Sequence, residues 1–123
     1  MHKKILITPT PRYLPEHSNP EDGLYAFAYT ITIENQGLTK AQLISRHWVI
    51  TDRDNAVQEV RGLGVIGEQP VLLPGGSFSY TSGCTLPTPV GTMKGSYLFI
   101  GDGGEQFEVL IPEFVLAMRS CLH

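Results

Sequence analysis

The stretch LYAFAYTITIENQG, Leu24 to Gly37, restricts the fold more than any other part of the chain. Tyr25, Phe27, Tyr29, Ile31 and Ile33 fall on one side of a period of two, and Ala26, Ala28, Thr30, Thr32 and Glu34 on the other. That alternation is a β-strand with one large apolar face, and such a face is buried only by stacking on a second layer. Asn35 to Gly37 supplies turn chemistry at its end. A second run, AQLISRHWVITD, alternates Leu43, Ser45, His47 and Val49 against Ile44, Arg46, Trp48 and Ile50. The turn DRDN, Asp52 to Asn55, leads into AVQEVRG as a hairpin partner, and GDGG, Gly101 to Gly104, joins two further runs. With KKILITP, PVLLPGG, SFSYTSG, MKGSYLFIG and EQFEVLIPEFVL, the chain reads as seven or eight strands. That is the pattern of an all-β, two-sheet sandwich. No window sustains helical periodicity; the most helix-like piece is the short PEFVLAMRS. The longest expected loop is Pro11 to Gly23, with three prolines, exposed and mobile.

Thirteen glycines and nine prolines in 123 residues agree with strands joined by turns, and this length predicts a single domain, 1–123, with a core of its own. The formal charge of −3, with no run of like charge, argues against nucleic acid and anionic membrane as partners. MHKKILITPTPRY holds too short an apolar run for a signal peptide, and no stretch approaches a membrane span, so the expected location is cytoplasmic. Cys84 and Cys121 show neither disulfide-framework nor zinc spacing and are expected to be reduced thiols.

VRGLGVIGEQP, Val60 to Pro70, places Gly62, Gly64 and Gly67 at the G-x-G-x-x-G spacing of a dinucleotide loop. Such a loop needs a helix N-terminus behind it and an acid about 20 residues on. Pro70 and Pro74 prevent the helix, and no Asp or Glu occurs between Glu68 and Asp102. The glycines are therefore expected to mark bulges, positive φ or close backbone approach between strands. A nest of amides beside Arg61, able to hold a small anion, is the functional alternative.

Other constellations carry little chemistry. Arg46 and Trp48 share a face, and Arg46 is expected to reach Glu59 on the next strand while Trp48 covers the pair. His2, His17, His47 and His123 have no metal-ligand spacing, so no metal site is expected; Cys121 and His123 offer two ligands at most. Ser77, Ser79 and Ser82 lack a nucleophile elbow, and Cys84 lacks a protease signature, so no catalytic residue is assigned. Residues 81–97, uncharged apart from Lys94, read either as an ordered connection packed by Leu86, Val90 and Met93 or as a recognition loop.

RHWVITD, then EVRGLGVIGEQPVLLPGG, YTSGCTLPTPVGTMKGSYLF and FEVLIPEF, occur in an order that resembles the ApaG family of small bacterial proteins, from about Leu24 to Leu116. The resemblance implies an immunoglobulin-like or fibronectin type III-like β-sandwich. It also implies an association with cobalt tolerance and magnesium efflux, without an established catalytic activity, and a proposed phosphate loop that falls on Gly62, Gly64 and Gly67. Leu63 stands where members often have Glu, Gly76 where the family has PGE, and RDN replaces an Asn-Gly turn, so the acidic character near the loop is reduced. The resulting expectation is a non-enzymatic binding module without cofactor, acting through protein partners, with its oligomeric state left open and a homodimer included. The alternative is a pyrophosphate- or nucleotide-phosphate-binding protein using Gly62, Gly64, Gly67 and Arg61.

Overall fold

The alternating stretch forms β2 (Tyr25–Asn35), the centre of an antiparallel sheet ordered β1-β2-β6, with β1 at Ile5–Tyr13 and β6 at Ser77–Leu86. The structure, a computed structural model, describes residues 4–118; His2, Cys121 and His123 lie outside them. Phe27, Tyr29, Ile31 and Ile33 are buried and Tyr25 is half-buried, while the opposite face carries hydroxyls that pair across strands, Thr30 with Thr81 at 2.8 Å and Thr32 with Ser79 at 3.2 Å.

The second sheet runs β4-β3-β7-β8, from β3 (Ala41–Asp52), β4 (Val57–Leu63), β7 (Val90–Gly101) and β8 (Gln106–Ala117). A two-residue β5 (Val71–Leu72) pairs with the start of β3. Three strands stacked on four, antiparallel throughout, make the fibronectin type III-like sandwich. Trp48 on β3 fills the space between the layers, its indole edge-on to Tyr29, Tyr97 and Phe114 at ring-centroid distances of 5.5, 6.3 and 6.0 Å.

Two strands break the simple alternation. Opposite β7, Leu43 pairs with Phe99 but Ser45 with Leu98, so Ile44 is an extra residue, a β-bulge. Leu43 therefore lies on the same buried face as Trp48 and Ile50, and not with Ser45, His47 and Val49 as strict alternation requires. On β8 the register slips between Ile111 and Phe114, at Pro112, and the buried set changes from Ile111 to Phe114 and Leu116. PEFVLA, the most helix-like piece, is strand.

Two further segments differ from the sequence reading. Pro11 to Tyr13 belong to β1, because an edge strand tolerates prolines; the loop proper begins at Leu14 and is shaped by two single 3₁₀ turns, Pro15–His17 and Pro20–Asp22. Ser18 Oγ ties it to β2 by donating to the Leu14 carbonyl and accepting from the Ala26 amide. Residues 81–97 are not a loop: they are the end of β6, a short bend and the greater part of β7, with Leu86 and Met93 in the core. Asn35 supplies the expected turn chemistry, its Oδ1 accepting from the Gly37 amide at 2.9 Å; it is also 1% exposed, and its amide nitrogen donates to the carbonyls of Thr39 and Leu72. It thereby holds the β2–β3 connection against β5.

Candidate functional site: the outer face of the larger sheet

The pairing of β3 with β4 decides which charges meet. His47 lies opposite Arg61, and Val49 opposite Glu59, so His47, Glu59 and Arg61 share the outer face while Arg46, opposite Gly62, faces the other way. Glu59 accepts from His47 Nε2 at 2.8 Å and sits 3.6 Å from Arg61. The expected Arg46–Glu59 pair is absent for that reason. The hydrogen bond from His47, then the charges of His47 and Arg61, hold the Glu59 carboxyl below its ordinary range.

Around this charged group the sheet surface is shallowly concave. One depression of about 490 Å³ is bordered by Ser45, His47, Arg61, Leu63, Leu98 and Glu108. A second, about 390 Å³, shares His47, Ser96 and Glu108 with it and extends to Lys94, Leu110 and Glu113. Leu63 and Leu110 are 75% and 74% exposed, and Val57 and Val115 are also exposed. The face thus combines apolar projections with charges of both signs. Of the sequence-derived candidates, Arg61 and Gly62 border it. Gly64 and Gly67 lie beyond the end of β4.

The glycines have individual explanations. Over Gly62 lies the Arg46 guanidinium, 2.7 Å from where a Cβ would stand, so the missing side chain seats the arginine; its Nη1 donates to the carbonyls of Leu63 at 3.0 Å and Gly64 at 2.8 Å. Gly64 has φ +63°, and a Cβ there would collide with the Glu68 carbonyl. Ile66 (φ 42°) and Gly67 (φ 80°) are the two central residues of a tight turn closed by reciprocal Val65 and Glu68 hydrogen bonds, the mark of a type I′ hairpin. The amides of Gly64, Val65 and Glu68 already donate to backbone carbonyls, which leaves the turn tip, Ile66 and Gly67, for any anion. No helix follows; the chain enters β5.

On the inward side, Arg46 borders a separate cleft between the sheets with Tyr29, Gln58, Ser82 and Cys84. Burial pushes the Cys84 thiol up to about 11, so little thiolate is present at neutral pH to act as a nucleophile. Among the described residues, no three His, Cys, Asp or Glu side chains converge to hold a metal ion. No described helix is long and apolar enough to cross a membrane.

A three-on-four antiparallel sandwich displaying a mixed, shallow face is a fibronectin type III-like module. Residues 15–101 match the ApaG domain model, and the chain belongs to the ApaG family. Protein ApaG of Bordetella pertussis is 58% identical over 119 residues, covering 97% of this chain and 91% of that protein. Protein ApaG of Ralstonia nicotianae is 61% identical over 112 residues, 91% of this chain and 90% of that protein. A crystal structure of a Bordetella pertussis protein designated ApaA superposes with a TM-score of 0.93 at 58% identity, covering 94% of each chain.

Proposed function

We propose that the chain is a non-catalytic recognition module that works in the cytoplasm by docking another protein, within the cobalt and magnesium homeostasis that the family resemblance implies. The observation that carries this reading is the outer face of the larger sheet. Leu63, Leu98 and Leu110 border the depressions beside His47 and Arg61, and Lys94, Glu108 and Glu113 add charges of both signs. Apolar side chains interspersed with nearly neutral charge suit a protein surface better than a polyanion. The depressions are broad and shallow, unlike the enclosed pockets that bury a small substrate. In a bacterial strain lacking its own family member, this chain is expected to restore growth in cobalt. The variant L63D/L110D is expected to fail while keeping its melting temperature. Full rescue by that variant would remove the face from the function.

A second reading keeps a small phosphate-containing ligand at the same place. Arg61, His47 and the Ser45 hydroxyl border one depression beside Gly62, and the Ile66 and Gly67 amides lie one turn further on. Calorimetry with pyrophosphate, ATP and diadenosine tetraphosphate, with and without magnesium, tests it. Saturable heat abolished by Arg61→Ala supports it, and no heat at millimolar ligand ends it. Hydrolysis of any of these compounds, lost in the same variant, would replace the non-catalytic reading.

A further inference from the structure

The unpaired edge of β4 is its own complement. Hydrogen bonds from the Gly64 amide to the Ile44 carbonyl (2.7 Å) and from the Asp52 amide to the Ala56 carbonyl (3.0 Å) set the phase of the β3–β4 ladder. The even-numbered residues of β4 exchange hydrogen bonds with β3, so Val57, Glu59, Arg61 and Leu63 direct their backbone N–H and C=O groups away from it. The same four residues carry their side chains on the outer face. A second β4 pairing through these groups about a two-fold axis at Val60 brings Glu59 opposite Arg61 of the second copy, and Val57 opposite Leu63 of the second copy. Centring the axis on Glu59 or on Arg61 instead sets like charges face to face, and larger displacements lose strand overlap. Only the register at Val60 gives full overlap, opposite charges and apolar neighbours together.

The other edges differ. β1 carries Pro9 and Pro11, and β8 carries Pro112 at its bulge, both devices that blunt an edge. β6 is uncharged from Ser77 to Leu86 and has no such pattern. β4 is seven residues long, without proline and without a bulge against β3. Leu63's carbonyl accepts from Arg46 and retains a second lone pair for an intermolecular donor.

We infer that β4 pairs antiparallel with β4 of a second copy about a two-fold axis at Val60, joining the two larger sheets into one continuous sheet. The pairing sets Val57 and Glu59 of the second copy beside Leu63 and Arg61 of the first, extending the outer face across the junction. It rests on strand geometry and is independent of what that face binds.

Sedimentation velocity of the full chain from micromolar to millimolar concentration is expected to show a monomer–dimer equilibrium. Arg61→Glu and Glu59→Arg each reverse two cross-strand pairs per dimer and are expected to raise the dissociation constant roughly tenfold or more. The double swap E59R/R61E is expected to restore it, with circular dichroism confirming the fold in each case. Independently, Val60→Cys should oxidise to a covalent dimer, since a non-hydrogen-bonded antiparallel pair brings its Cα atoms to about 4.5 Å, within disulfide reach. Leu110→Cys should not. A monomer at every concentration, a dimer indifferent to either charge reversal, or a double swap no better than the singles would overturn the inference.

Discussion

Tyr80 on β6 and Tyr97 on β7 share a 2.6 Å hydrogen bond between their hydroxyls, one from each sheet, in the interior of the sandwich. Tyr80 is 6% exposed and Tyr97 fully buried, so neither has water as an alternative partner. Tyr97→Phe leaves the Tyr80 hydroxyl unsatisfied and is expected to cost about 1–3 kcal/mol. The double variant Y80F/Y97F removes both polar atoms and should cost less than the two single changes added together. Urea unfolding of the four proteins measures the coupling.

Burial pushes the Tyr80 hydroxyl up to about 12 and raises those of Tyr97 and Tyr29 as well, above the ordinary value of 10.0. These hydroxyls remain protonated in the folded chain where an unfolded chain would ionise them. Their stabilising effect is complete below the ordinary tyrosine value, declines as pH rises above it, and is lost through the raised one. Alkaline titration followed by tyrosinate absorbance and circular dichroism should show a late set of tyrosines ionising together with unfolding. Ionisation of all five tyrosines in one early step, with the fold intact, would contradict this.

On the outer face, His47→Ala removes the hydrogen bond that contributes most to lowering the Glu59 carboxyl. Carbon-detected NMR should show Glu59 titrating below the ordinary carboxylate range in the parent and closer to it in the variant. The linked stability is present above the ordinary Glu value and is lost as pH falls through the lowered one; exposure of the pair keeps it small.

The glycine loop yields a graded series. Gly64→Ala combines positive φ with a backbone collision and is expected to cost about 2 kcal/mol or more. Gly62→Ala displaces the Arg46 guanidinium from its seat and frees two carbonyls, at about 1–2 kcal/mol. Gly67→Asn, at an uncrowded position of the type I′ turn, should cost less than about 1 kcal/mol. Thermal melts rank the three, and the opposite order would contradict the role given to each glycine.

β2 could be read almost directly, because its large apolar side chains all fall on one face and leave the alternation intact from Tyr25 to Ile33. The turns at Asp52–Asn55 and Gly101–Gly104 were equally legible, since Asn55 and Gly104 take up the positive φ that such turns require. Segments whose meaning depends on a neighbouring strand were harder to read. Pro11 looks like loop until β2 is seen pairing with only one side of β1. Residues 81–97 look like loop because their small side chains lie where strands pass close together, and a Cβ at Gly95 would meet the His47 carbonyl. Arg46 and Glu59 do lie on paired strands, but only the register shows that they face opposite sides of the sheet. The outer face itself left one trace in the sequence: Glu59, Arg61, Leu63 and His47 all belong to strands, at positions that alternate away from the core.

The extra residue at Ile44 works like a reading-frame shift written in space. Upstream of it the odd-numbered side chains of β3 point inward, and downstream the even-numbered ones do, so a single inserted position determines which residues the molecule displays from there to Asp52. Were Ile44 instead paired regularly opposite Leu98, with the upstream pairing kept, Trp48 would turn toward solvent and His47 into the interior. The chemistry offered to the outside world therefore depends on one uncharged isoleucine as much as on the exposed histidine, glutamate and arginine themselves.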